Sequence, residues 1–102
     1  MKIRNVKETE FEAVHNFVSK CKPLENYKVH FYRIMLRYFS DTCFIAEDDD
    51  IIIGFVLGIL SQRHKGTFFL WQIAIAPSRQ GKGLGSLFLS FHPHYTSSPP
   101  HK

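Results

Sequence analysis

The stretch Leu70-Trp71-Gln72-Ile73-Ala74-Ile75-Ala76-Pro77-Ser78-Arg79-Gln80-Gly81-Lys82-Gly83-Leu84-Gly85-Ser86 decides how the chain reads. Thr67 to Ala76 is apolar on both faces, as a strand covered on both sides requires. Pro77-Ser78-Arg79 is a turn. A helix opens near Gly83, with Leu84, Leu87, Phe88 and Phe91 as its apolar stripe. Glycines at 81, 83 and 85 let successive main-chain N–H groups converge on one anion. The following helix adds unpaired amides and a positive dipole end. Arg79 and Lys82 add full charges. Residues 79 to 86 therefore read as a cradle for a pyrophosphate.

Other phosphate loops fit less well. A Walker A loop places Lys and then Ser or Thr after its last glycine, but here Gly83 follows Lys82. A dinucleotide fingerprint needs a third glycine where Ser86 stands, and an acidic residue about 20 positions later, beyond Lys102. A glycine-rich turn with no ligand remains open.

Outward from the loop, the chain alternates between helical and strand periods. Lys2 to Val6 reads as a strand. Thr9 and Glu12 form a capping box, and Phe11, Val14, Phe17, Val18 and Cys21 follow at helical spacing until Pro23. A second helix is expected from about Asn26 to Phe39, with Tyr27, Phe31, Ile34, Met35 and Tyr38 on its buried face. Thr42 to Glu47 and Ile51 to Leu60 read as strands. Asp48-Asp49-Asp50 between them is a hairpin turn rather than a metal site, since no further ligands surround it. The order is β-α-α-β-β-β-α. It implies an α/β (α+β) fold, with a mixed, largely antiparallel sheet and helices on both faces. Residues 1–92 form one domain in this reading, and 93–102 a disordered tail.

Composition agrees with a folded domain. Of 102 residues, 44% are hydrophobic and 22% charged, so a core can form. The net charge of +4 and pI near 9.2 favour anionic partners. The longest apolar run, Ile51 to Leu60, is too short to span a bilayer. Cys21 and Cys43 lack metal-ligand spacing, and the N-terminus lacks an apolar leader segment. A cytoplasmic protein with reduced thiols is expected, without metal, membrane or nucleic-acid partner.

The arrangement Gln80-Gly81-Lys82-Gly83-Leu84-Gly85 resembles the acyl-CoA loop of the GNAT N-acetyltransferase superfamily, [RQ]-x-x-G-x-[GA]. Leu70 to Ile75 resembles that family's fourth strand. Upstream, Cys21-Lys22-Pro23-Leu24-Glu25, Asp41-Thr42-Cys43, Ala46-Glu47, Gly54-Phe55-Val56, Gly58 and Trp71-Gln72-Ile73-Ala74 are similar to its diaminobutyrate acetyltransferase branch. The similarity runs from about Val14 to Leu89. Tyr27-Lys28 stands where Asn-Ser is expected in that branch.

The resemblance implies transfer of acetyl from acetyl-CoA to a primary amine of a small molecule, such as 2,4-diaminobutyrate. It assigns pantetheine and oxyanion contacts to the strand at Ile73, Ala74 and Ile75, and the pyrophosphate to residues 79–86. Glu25 would attract the ammonium substrate, or else is a solvated loop carboxylate. Trp71 would wall the amine pocket, or else sit in the core. Glu47 is a candidate base, or else half of an ion pair. Gln72 cannot be a base but can hold water or substrate. Family members continue past the loop helix, so the fold is expected to stop short here. That would leave the fourth strand with an exposed apolar edge and favour a homodimer. A non-catalytic acyl-CoA-binding or dimerising module stays open, as does a small basic nucleic-acid-binding domain.

Overall fold

The computed structural model describes residues 1–21 and 26–90, apart from the side chain of Leu89. Four strands, β1 (Lys2–Asn5), β2 (Phe44–Asp48), β3 (Ile51–Leu60) and β4 (Phe68–Ile75), form one antiparallel sheet in the order β1-β2-β3-β4. Helices α1 (Phe11–Val18) and α2 (Val29–Phe39) precede β2, and α3 (Leu84–Ser90) follows β4. The expected element order therefore stands. Among the described residues, no helix is long and apolar enough to cross a membrane.

The sheet buries a core on each face. One contains Val14, Phe17, Val18, Tyr32, Met35 and Leu36 from α1 and α2, packed against Ile45, Phe55, Leu57 and Ala74. The other sets Leu84 and Phe88 of α3 against Ala46, Ile53 and Val56. Gly54 seats that helix. A Cβ there would lie 2.9 Å from the Phe88 ring, so only glycine lets α3 come this close without a shift.

Two residues are inserted in the ladder. Ala46 pairs with Gly54 and Glu47 with Ile52, leaving Ile53 as the extra residue of β3. Leu57 pairs with Gln72 and Gly58 with Leu70, leaving Trp71 as the extra residue of β4. A bulge turns successive side chains toward the same face. Trp71 and Gln72 accordingly both meet α2, through Phe31 and Tyr32 respectively.

Three local expectations are corrected. The N-terminal cap lies two residues earlier than Thr9 and Glu12. Glu10 accepts from the Lys7 amide at 2.8 Å, and a 3-10 turn, Glu8–Glu10, leads into α1. The carboxylate at 10 wins because Arg4 also grips it. Helix α2 starts at Val29, and its buried face is Tyr32, Met35 and Leu36. Ile34 and Tyr38, placed inward by the sequence pattern, are exposed. Two overlapping apolar arcs compete on this helix. The Tyr32 arc prevails because the hydroxyl of Tyr32 finds a buried acceptor, Gln72 Oε1, at 2.9 Å. Finally, β2 begins at Phe44, because Ser40–Thr42 is a 3-10 turn. Pro23, Phe91 and the 93–102 tail lie outside the described residues.

Arg4 ties β1, β2 and the turn before α1 together. It reaches Glu10 Oε2 at 2.8 Å and Glu47 Oε1 at 3.0 Å. These bonds hold both carboxyls below their usual range. A depressed carboxyl pKa adds stability above the unfolded value near 4.5, lost as pH falls through the folded values. Arg4→Met should therefore cost about 1–2 kcal/mol at neutral pH, allowing for partial exposure. Denaturant melts at descending pH should show that gap closing below about pH 4.5. A gap that stays constant to pH 2 would remove the network from this role.

Candidate functional site

The end of β4 and the start of α3 are pinned. Ala76 N–H donates to Ile53 O at 2.9 Å, and Arg79 N–H to Ala76 O at 2.8 Å. Gln80 Nε2 donates to Ile75 O at 2.9 Å, stitching the loop to the last residue of β4. Downstream, Leu84 and Phe88 anchor α3 in the core. Pro77–Arg79 forms a 3-10 turn between these anchors.

Between the anchors, the main chain is uncommitted. Among the described residues, no protein group accepts from the amides of Gly81 to Ser86. Gly81, Lys82, Gly83 and Ser86 are exposed, Gly85 half-buried and Leu84 buried. Gly81 and Gly83 hold φ of +77° and +79°, and a Cβ at either would meet nothing within 4 Å. Backbone conformation, not crowding, calls for glycine at these two positions. Arg79, Lys82, Gly83, Leu84 and Leu87 line a shallow, open depression beside the loop. Uncommitted amides next to a lysine and an arginine suit a multiply charged anion such as a diphosphate.

Arg79 is not wholly available. Its Nη2 donates to Asp48 Oδ2 at 3.0 Å. Lys82 makes no ion pair among the described residues.

β4 brings together a second group of residues, on the α2 side of the sheet. Among the described residues it is an edge strand, its main chain paired with β3, and Ile75 O also accepts from Gln80. Gln72 is 5% exposed. Trp71 is partly exposed, and its Nε1 donates to Tyr27 Oη at 3.2 Å. Its ring lies 5.3 Å from that of Phe31 and 6.0 Å from that of Phe69. This places Trp71 in an aromatic wall rather than in the closed core. Tyr27 joins that wall by ring contacts with Phe31 and Trp71, and Tyr32 lies behind it in the core.

Glu47 stands apart from both groups. It is engaged with Arg4 on the far side of the sheet, at β1. Its lowered pKa, caused chiefly by the Arg4 hydrogen bonds, leaves it a weak base near neutrality. Glu25 lies outside the described residues. Both cysteines are buried free thiols. Burial pushes the Cys43 thiol up to about 11 and raises Cys21 as well, so neither is an activated nucleophile.

Comparison with known proteins bears on this geometry. Residues 11–91 match the Acetyltransferase (GNAT) family. L-2,4-diaminobutyric acid acetyltransferase of Shouchella clausii (strain KSM-K16) is 37% identical over 68 residues, covering 67% of this chain and 38% of that protein. The enzyme of the same name from Chromohalobacter salexigens is 35% identical over 73 residues, 71% of this chain and 38% of that protein. Among solved structures, diaminobutyrate acetyltransferase EctA from Paenibacillus lautus, in complex with L-2,4-diaminobutyric acid and coenzyme A, superposes with a TM-score of 0.82. The identity is 27%, with 91% of this chain and 58% of that one covered. The chain thus spans less than half the length of these curated relatives.

Trp71 is the only tryptophan, so its emission reports on the β4 edge. If coenzyme A runs from the loop along β4, it should shift or quench this emission, and inorganic pyrophosphate, too short to reach that edge from the loop, should leave it unchanged. Equal responses to both ligands would break the link between loop and edge.

Proposed function

The chain belongs to the Acetyltransferase (GNAT) family, and on that premise we propose that it carries the acetyl-donor half of an N-acetyltransferase for small primary amines. The observation that carries this reading is the run of uncommitted amides from Gly81 to Ser86 beside Lys82. The acyl donor is acetyl-CoA. When bound, it supplies an activated acetyl thioester. Gly81, Lys82, Gly83, Leu84, Gly85 and Ser86 hold its diphosphate by main-chain N–H groups, with Arg79 and Lys82 as counter-charges. Gln80 acts indirectly, by fixing the loop to Ile75. Along the β4 edge at Ile73, Ala74 and Ile75, the main-chain groups not already bonded to β3 or to Gln80 offer partners for the extended arm of the donor and for developing negative charge on the acyl oxygen.

The acceptor is a small diamino acid, with 2,4-diaminobutyrate as first candidate. Relatives named for that substrate align with 67% and 91% of this chain. Trp71 walls the acceptor pocket, and Gln72 holds the acceptor or a water that removes its proton. Glu25 attracts the ammonium group. Glu47 serves Arg4 rather than proton transfer. A cytoplasmic setting, where acetyl-CoA is made and used, fits this chemistry.

The first half of the β4 edge, ahead of the residues assigned to the donor, supports a homodimer. It carries no proline and no charged residue, and Phe69 and Trp71 stand out from it. Such an edge lacks the usual protections against pairing with a second chain.

Titration with coenzyme A, followed by thiol release from acetyl-CoA with 2,4-diaminobutyrate, tests the reading. Binding is expected at Kd in the micromolar range, and Gly83→Asp should weaken it by at least about 100-fold. The substitution puts a carboxylate beside the diphosphate and strains a left-handed backbone position. Unchanged affinity in Gly83→Asp would overturn the loop assignment. Donor binding without thiol release from any amine would favour a non-catalytic acyl-CoA-binding module.

A further inference from the structure

Asp48 is the last residue of β2, and it faces Arg79 across the end of the sheet. Both are rigidly mounted. Asp48 pairs with Ile51 across a two-residue hairpin turn. Asp49 and Asp50 in that turn take φ of +51° and +63°, the left-handed pair that matches strand twist in tight hairpins. Arg79 ends the 3-10 turn Pro77–Arg79, with its amide bonded to Ala76 O. Its guanidinium donates from Nη2 to Asp48, while the side chain forms part of the wall of the depression beside Lys82 and Gly83.

We infer that Asp48 is a positioning residue for the acyl donor: it holds one edge of the Arg79 guanidinium so that the remaining N–H donors stay turned toward the diphosphate site. The inference rests on the acetyl-donor reading above. An exposed ion pair of this kind adds little to folding stability. Its consequence is conformational. A free arginine side chain loses considerable rotamer freedom when it clamps a phosphate, and one already held by a carboxylate has lost part of that freedom before binding.

The carboxylate has an opposing effect, because it offsets some of the positive charge that draws the anion in. The two effects differ in salt dependence. Charge repulsion between exposed groups is screened by added salt, whereas the orientation of Arg79 is a matter of geometry and persists longer. The structure favours orientation, since Asp48 touches one nitrogen and leaves the rest of the fork unengaged among the described residues.

The test is a double-substitution cycle read by coenzyme A titration of the full chain, at about 0.1 M and about 0.5 M salt. Asp48→Asn should weaken binding roughly three- to tenfold at both salt concentrations. It should have no further effect in an Arg79→Gln background, and Asp48→Glu should recover part of the loss. The melting temperature should barely move. Unchanged or tighter binding by Asp48→Asn would overturn the inference, as would an equal loss with and without Arg79. Failure of the unaltered chain to bind coenzyme A would instead overturn the acetyl-donor reading itself, and this inference with it.

Discussion

The structure depends on a main-chain segment held firmly at both ends while its own donors go unused. Upstream, Gln80 is bonded to Ile75 O, and Ala76 to Ile53 O. Downstream, Leu84 and Phe88 are sunk in the second core. Between them, the amides of Gly81 to Ser86 have no protein acceptor among the described residues. Exposed N–H groups at a mobile loop would simply be hydrated. Fixed in one direction by two anchors, they are suited to receive an anion with little rearrangement, which is what the proposed donor site requires.

The sheet serves this segment in two ways. Gly54 lets the Phe88 ring pack closely on β3, which holds α3 against the sheet. The inserted residue Trp71 interrupts the β3–β4 ladder and puts two consecutive side chains on the α2 face. A polar group, Gln72, and an aromatic one, Trp71, thereby meet beside the edge of the sheet. Without the bulge, strict alternation would send one of them to the opposite core.

Most of the architecture was legible in the sequence. The apolar strands, the acidic hairpin and the glycine loop have local signatures, and each lies where its spacing puts it. The phase of α2 was not legible. Its residues offer two apolar arcs a hundred degrees apart, and the choice turns on a tertiary bond between Tyr32 and Gln72. The shift of the first cap from Thr9 to Lys7 has a related origin, because Glu10 is recruited by Arg4 of β1, which Glu47 of β2 also holds. At the site, glycine spacing and charge pointed to the loop. The sharing of Arg79 with Asp48 and the partnership of Glu47 with Arg4 are long-range pairings that no local pattern encodes.

The central claim concerns the direction and availability of a few amide protons, so it is tested most directly by following them. In a two-dimensional 1H–15N titration with coenzyme A, the resonances of Gly81, Lys82, Gly83, Leu84, Gly85 and Ser86 should move first and furthest. Their downfield shifts should match those of N–H groups that acquire a charged acceptor. If those six stay in place while coenzyme A perturbs another surface, the account of this loop as the diphosphate cradle is contradicted.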